Sequence, residues 1–108
     1  VEMYVPVSWY DPMRLESLGF AEVDHGWRMV EDGSTGIEGG DLPVNCSGGV
    51  LSSNPIGASG MIRFAEAALQ VRGMAGDHQV DGVRRAFGHA YGGGAQYFAM
   101  WVVGDQKP

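Results

Sequence analysis

The sequence predicts an α/β protein in which helices flank a mixed central sheet, and three observations support this class. Residues 1–7 are rich in the apolar and β-branched side chains that are typical of a strand. Residues 61–71 carry apolar side chains at helical spacing. Residues 83–89 and 97–103 form two further strand-like segments, separated by a glycine turn. The resulting order is strand, helix, loop, helix, strand, strand.

The first helix is predicted to follow the first strand at once. Ser8 can cap its free amides, and Pro12 makes it start late or bend. Gly19 offers a left-handed stop at the other end. Residues 21–43 then predict a long loop with room for a short hairpin, and the loop's apolar cluster is Trp27, Met29 and Val30.

The second helix is predicted over residues 61–71, with its end at Gly73. We expect its apolar side chains to form the buried face and its polar ones the opposite face. The apolar set is Met61, Ile62, Ala65, Ala68 and Leu69, and the polar set is Arg63, Glu66 and Gln70. Ser59 and the small residues before it leave backbone amides free at the helix start, where they can hold an anionic or carbonyl oxygen. A helix cap with tight packing is an equally good interpretation.

The last strand is predicted to be central and covered on both faces, because residues 97–103 are apolar without alternation. Residues 92–94 are three glycines that make the bend before it and let a ligand or another backbone approach closely. The tryptophans and methionines are interpreted as packing residues.

Composition limits the function classes. A chain of 108 residues fits one domain, residues 1–108, and its net charge of −6 argues against binding to nucleic acid. No apolar run approaches the roughly 20 residues of a membrane helix. The single cysteine and the lack of a secretory signal predict a cytoplasmic protein. The 18 glycines and the apolar segments that are typical of buried strands also favour the interpretation that the chain is part of a larger protein.

Few side chains suggest chemistry on their own. His25 and His78 lie in polar segments and are interpreted as surface histidines, and no pattern of metal ligands is present. Cys46 is interpreted as a buried, unreactive thiol because no base lies near it in the sequence. His89 and Tyr91 precede the glycine turn, which can present both to a cleft, although simple packing explains them equally well.

Several motifs in order resemble the C-terminal half of the thiolase superfamily, in particular the sterol-carrier and lipid-transfer thiolases. They are Asn45-x-Ser47-Gly48-Gly49, then residues 54–60 (Asn-Pro-Ile-Gly-Ala-Ser-Gly), then His89-x-x-Gly92-Gly93-Gly94, with residues 15–20 and 39–45 upstream. The resemblance covers nearly the whole chain. It implies a C-terminal thiolase-fold half with a layered α/β structure.

The chain departs from that pattern at three polar positions. Asn54 stands where working thiolases have a histidine, Ala90 stands where many have a basic cysteine, and Tyr4 replaces an asparagine or histidine that binds the thioester oxygen. A site with these residues resembles the thiolase-like aldolases that cleave the side chains of steroid acyl-CoA esters.

The resemblance therefore implies a lyase that cleaves a β-hydroxyacyl-CoA by a retro-aldol reaction, releasing a ketosteroid and propionyl-CoA. Tyr91 would transfer the proton with His89 tuning it, Tyr4 would be a second donor, and Asn54 would orient the substrate. Donors for the enolate oxygen would come from the segments containing Gly57, Ser59, Gly92 and Gly93.

Two alternatives remain open. One is an acetyl-CoA acetyltransferase or thiolase with an atypical base, and the other is a non-catalytic subunit that binds acyl-CoA. The resemblance also implies a homodimer, an OB-fold partner with a zinc-ribbon segment, and acyl-CoA as substrate without a further cofactor.

Overall fold

Residues 1–107 of the chain are described by a computed structural model. The strands are β1 (Glu2–Met3), β2 (Arg85–Gly92) and β3 (Tyr97–Gly104). The helices are α1 (Tyr10–Ser17), α2 (Gly26–Glu31), α3 (Gly49–Ser52) and α4 (Ser59–Val71), with short 3₁₀ turns at Ile56–Ala58 and Gly76–His78. The predicted α/β class is confirmed. No helix within residues 1–107 is long and apolar enough to cross a lipid bilayer.

The sheet has the strand order β1-β2-β3 and is mixed, as the sequence predicts. β1 runs parallel to β2, with Met3 opposite His89. β2 and β3 form an antiparallel hairpin in which Gly88 lies opposite Trp101. Because the chain returns from β1 to a parallel neighbour through α4, the start of α4 lies at the carboxyl ends of β1 and β2.

Side chains from opposite sides cover the sheet. On one side α4 packs against it, with the Arg63 Nε 3.3 Å from a Glu2 carboxylate oxygen and the Phe64 ring 5.8 Å from that of Trp101. On the other side Phe20, just after α1, packs edge-to-face on Phe87 of β2, with ring centroids 5.3 Å apart. The candidate functional residues lie at the carboxyl ends of β1 and β2, beside these covering side chains.

The first strand and helix are shorter than the sequence predicts. β1 contains only two residues, because the chain turns away after the Tyr4 amide has bonded to the His89 carbonyl at 3.0 Å. The predicted cap at Ser8 is wrong: α1 begins at Tyr10, and Trp9 at its N-cap position makes no side-chain capping bond. The predicted stop at Gly19 is confirmed by its φ of 77°.

The long predicted loop contains a helix that the sequence analysis missed. α2 includes the apolar cluster of residues 27–30 and packs against α1. The contact is close: a Cβ on Gly26 would lie 2.2 Å from the Pro12 carbonyl oxygen. The Gly26 amide also donates to a Glu16 carboxylate oxygen at 2.9 Å. A helix of only six residues shows too little periodicity for the sequence to reveal it.

The predicted faces of α4 are reversed. The polar side chains of Arg63, Glu66 and Gln70 are buried against the rest of the chain, whereas Met61 is 68% exposed. Glu66 and Gln70 are tolerated there because they bond to each other and to a neighbouring loop: the Gln70 amide nitrogen donates to Glu66 Oε1 at 3.0 Å and to the His78 carbonyl at 2.8 Å. Arg63 is compensated by its ion pair with Glu2. The helix end before Gly73 is as predicted.

The prediction of a central, fully covered last strand is also wrong for the described chain. β3 is an edge strand, and its large apolar side chains at Tyr97, Phe98, Met100 and Val102 are exposed. Most of the methionines and tryptophans interpreted as packing residues are likewise exposed, while Met3 is fully buried. Together with α4, β3 presents an apolar surface that residues 1–107 do not cover.

Candidate functional site

The candidate site lies at the carboxyl ends of β1 and β2, beside the start of α4. Tyr4 follows β1 directly, and Tyr91 is the penultimate residue of β2. Their rings meet edge-on, with centroids 5.0 Å apart. Ligand sites in α/β folds commonly form at this end of parallel strands. The structure therefore brings together two tyrosines that are 87 positions apart, by subtraction of their residue numbers.

Asn54 is held in one orientation by two hydroxyl groups. Its side-chain oxygen accepts hydrogen bonds from Ser59 Oγ at 2.8 Å and from the Tyr4 hydroxyl at 3.3 Å. Ser59 is 1% exposed, whereas Asn54 itself is exposed. With its oxygen engaged, Asn54 has its amide N–H groups left to donate. The geometry suits an amide that hydrogen-bonds a carbonyl or hydroxyl oxygen of a ligand.

Tyr91 is surrounded by aromatic rings. Besides Tyr4, the rings of Tyr10 and Phe98 lie with centroids 6.0 Å from its own. Burial, followed by the neighbouring Tyr10 and Tyr4 phenols, raises the pKa of Tyr91 to about 12, while Arg14 acts in the opposite direction. The phenol is therefore protonated at neutral pH.

His89 lies two residues before Tyr91 on β2, and the centroids of the two rings are 6.1 Å apart. It is 1% exposed, and among the described residues its Nδ1 atom has no hydrogen-bond partner. Burial, helped by the positive charge of Arg14, lowers the pKa of His89 to about 4. Near neutral pH the ring is consequently an uncharged group beneath the tyrosines. The sequence leaves open that the glycine turn presents His89 to an open cleft, but in the structure the ring is buried.

Arg14 is the residue that sequence reasoning missed. The carbon of its guanidinium lies 5.2 Å from the centroid of the Tyr10 ring and 5.3 Å from those of Tyr91 and Phe98. The spacing of Tyr10 and Arg14, four residues apart on α1, places both on one helix face and is the signal that could have found them.

The predicted binding glycines lie at the borders of the site. Gly57 belongs to the 3₁₀ turn before α4, and open space surrounds the position of its missing Cβ. Gly92 ends β2 in equally open space, and Gly93 follows in the left-handed conformation at φ 61°. The α4 N-cap position, Ala58, makes no side-chain capping bond, but the Ser59 amide donates to the Ile56 carbonyl of the preceding 3₁₀ turn. The amide that the sequence predicts to be free at Ser59 is therefore already bonded within the chain.

Two titratable side chains that the sequence analysis considered, His78 and Cys46, are not among the residues that contact this site. His78 Nε2 contacts Glu66 at 3.1 Å and is half-buried, so it is not a simple surface histidine. Cys46 is buried, and burial raises the pKa of its thiol, as expected for an unreactive cysteine. Within residues 1–107 no three His, Cys, Asp or Glu side chains come together as metal ligands would.

Comparison with known proteins places this fold in a family. The model of the family "Thiolase C-terminal domain-like" matches residues 1–105. The acetyl-CoA acetyltransferase of Methanothermobacter thermautotrophicus is 45% identical over 94 residues, which cover 86% of this chain and 24% of that protein. Sterol carrier protein 2 of Gallus gallus is 33% identical over 106 residues, covering 96% of this chain and 19% of that protein.

A third relative, non-specific lipid-transfer protein-like 2 of Caenorhabditis elegans, is 35% identical over 91 residues, covering 82% of this chain and 22% of that protein. The chain thus spans about a fifth to a quarter of the length of the curated relatives it matches. The resemblance to the C-terminal half of the thiolase superfamily is confirmed, and the chain belongs to the thiolase C-terminal domain-like family.

Proposed function

We propose that the complete protein is a thiolase-like aldolase, a lyase that cleaves a carbon–carbon bond of a β-hydroxyacyl-CoA by a retro-aldol reaction. The proposed substrate is a steroid side-chain CoA ester, and the products are a ketosteroid and propionyl-CoA. The observation that carries the proposal is the cluster of Tyr4, Asn54 and Tyr91 at the strand ends of a thiolase-family fold. Tyr4 and Asn54 stand at positions where the thiolases that the chain resembles have other polar residues, and Tyr91 follows Ala90, which stands at the third such position.

A retro-aldol cleavage needs proton transfer and an oxyanion site, but no acyl-enzyme. Tyr91 acts as the base in its ionised form, which is a minor species at neutral pH because the pKa of the phenol is about 12, and this form accepts the proton of the substrate's β-hydroxyl. The β-oxygen then becomes a ketone, and the electron pair of the Cα–Cβ bond moves into the thioester to form an enolate. Tyr91 returns the same proton to Cα, which completes propionyl-CoA. Every atom is conserved, and no oxidant or free CoA is consumed.

The neighbouring groups support these steps. Asn54, with its oxygen engaged by Tyr4 and Ser59, orients the substrate through its amide N–H groups. The open space beside Gly57 and Gly92 leaves room for the thioester end of the substrate and its enolate oxygen. His89 is a positioning residue: it is too buried to reach a substrate, and it acts through the adjacent Tyr91.

A groove of about 290 Å³ is lined by residues that adjoin the site along the chain, and it is our candidate for holding the apolar part of such a substrate. It begins at Val5, the residue after Tyr4, and Leu15 of α1 and Val50 of α3 also line it. Its lining is mostly apolar, so transfer of hydrocarbon surface from water into it favours binding. This supports a hydrophobic acyl group rather than a short polar one.

The resemblance further supports a homodimer and an OB-fold partner with a zinc-ribbon segment as parts of the complete enzyme. Acyl-CoA enters as a substrate, and the proposed reaction needs no other cofactor. The chain's negative charge means that the CoA phosphates must be met by local cations.

A second candidate function is that of an acetyl-CoA acetyltransferase with an atypical base. It is favoured by the 45% identity to the archaeal protein of that name. Such an enzyme consumes free CoA when it cleaves its substrate, whereas the aldolase does not. A third candidate is a non-catalytic subunit that binds acyl-CoA, and relatives named for carrying sterol and for transferring lipid favour a non-catalytic role.

The deciding experiment incubates the complete protein and its OB-fold partner with a steroid CoA ester that carries a tertiary β-hydroxyl. Mass spectrometry follows the ketosteroid and propionyl-CoA. Equimolar release of both products without added CoA supports the aldolase. Turnover that requires free CoA supports the acetyltransferase instead, and saturable binding without turnover supports the carrier role.

A further inference from the structure

Arg14 combines three features that a purely structural arginine on a helix surface does not need. Its guanidinium carbon lies within 5.3 Å of the centroids of three rings, those of Tyr10, Tyr91 and Phe98. Its Nε atom is buried and has no hydrogen-bond partner among the described residues. Within residues 1–107 no carboxylate lies at ion-pair distance from it.

The charge on this guanidinium is permanent, because arginine stays protonated throughout the accessible pH range. Nearby aromatic faces attract it, but they do not neutralise it. An unneutralised cation in partly water-excluded surroundings stabilises any negative charge that develops within a few ångströms. One group within that distance can become negative in the proposed reaction, and it is the phenol of Tyr91.

We propose that Arg14 is a positioning residue whose guanidinium stabilises the negative charge that Tyr91 carries while it transfers a proton. The proposal rests on the proposed function, since it assigns the group that reduces the free-energy cost of ionising Tyr91. It does not require Arg14 to touch the substrate.

The other groups that face Tyr91 cannot supply this stabilisation. Tyr10 of α1 and Tyr4 after β1 are phenols, and their proximity disfavours a second negative charge. His89 on the same strand is neutral because of its burial, and Phe98 of β3 is apolar. Arg14 is the one cation among these neighbours. Its loss therefore leaves the Tyr91 phenolate with only unfavourable partners.

Arg28 provides a matched control. Its guanidinium carbon lies 5.2 Å from the centroid of the Trp27 ring, nearly the same cation–aromatic distance, but on the exposed surface of α2. Arg28→Met removes the same charge and the same type of contact at a distance from Tyr91. Arg14→Lys retains a cation without the planar guanidinium.

The test uses the complete protein with a difluorinated tyrosine at position 91, because ring fluorines acidify the phenol and bring its titration into a range where proteins stay folded. The fluorine resonance reports ionisation directly. Arg14→Met is expected to raise the apparent pKa of this phenol by about one unit, from a Coulomb interaction over roughly 5 Å at high effective dielectric. Arg14→Lys should raise it less, and Arg28→Met should leave it unchanged.

The same variants, with natural tyrosine, are then compared in turnover. Arg14→Met should lower kcat about tenfold with little change in KM and move the rising limb of the pH–rate profile upward. An unchanged Tyr91 titration in folded Arg14→Met overturns the inference even if the aldolase activity is real. Full activity of Tyr91→Phe instead overturns the proposed function, so the two failures are distinguishable.

Discussion

Lowering the pH should destabilise the folded protein, because His89 binds a proton more readily in the unfolded chain than in the folded one. The folded pKa of His89 is about 4, against an ordinary value of 6.5. The difference is roughly 2.5 units, which corresponds to about 3 kcal/mol of free energy. Because the folded pKa lies below the unfolded one, this stabilisation is fully present above pH 6.5 and is lost as the pH falls through about 4. The physical cause is burial of a ring that would carry a charge beside Arg14.

The assay compares thermal unfolding of the complete protein with that of His89→Gln between about pH 7 and pH 4. Glutamine is polar but cannot be protonated, so the destabilisation caused by the substitution should shrink by up to about 3 kcal/mol as the pH falls. His25→Gln, in a loop away from the site, serves as the control. A destabilisation that stays constant with pH, or a His89 NMR signal that titrates near 6.5, would refute the reasoning.

Two predictions concern the supports of the site. Gly88→Ala should destabilise the protein by about 1–3 kcal/mol in chemical denaturation, because a Cβ there would lie 2.1 Å from Trp101 Nε1, whereas Gly92→Ala, in open space, should have little effect. Glu2→Gln should cost about 3–5 kcal/mol by leaving the buried charge of Arg63 without its partner, and adding Arg63→Met should recover part of the loss. Equal stabilities of Gly88→Ala and Gly92→Ala, or no recovery in the double variant, would contradict these contacts.

The order of elements could be predicted because local signals and the overall fold agree there. Gly19 and Gly73 end α1 and α4 in the left-handed conformation that glycine tolerates best. The glycines before Tyr97 turn the chain between two strands that pair along their full length. Such signals depend on a few neighbouring residues, and a sequence displays them directly.

The environment of α4 and β3 could not be predicted in the same way. Periodicity shows that α4 has an apolar and a polar face, but it does not show which one faces this chain's own sheet. Arg63 turns inward because Glu2 lies on the facing strand, a partner 61 positions away by subtraction of residue numbers. In β3 the uninterrupted apolar run indicates burial, yet residues 1–107 cover little of it.

The site was predictable in part. The resemblance to a family singled out Tyr4, Asn54 and Tyr91, and the structure brings them together, although their roles remain predictions. Arg14 was missed because an arginine on an amphipathic helix is usually solvated. Only the fold shows that it lies among three aromatic rings.

The most direct test of the proposed function measures whether the complete protein exchanges the α-protons of propionyl-CoA with deuterated water. Tyr91 transfers a proton to and from that carbon in the proposed reaction, so exchange isolates its step from the rest of the cleavage. We expect exchange by the natural protein and by Tyr97→Phe, whose tyrosine is 73% exposed on β3, and at least a hundredfold slower exchange by Tyr91→Phe. Unimpaired exchange by folded Tyr91→Phe would contradict it.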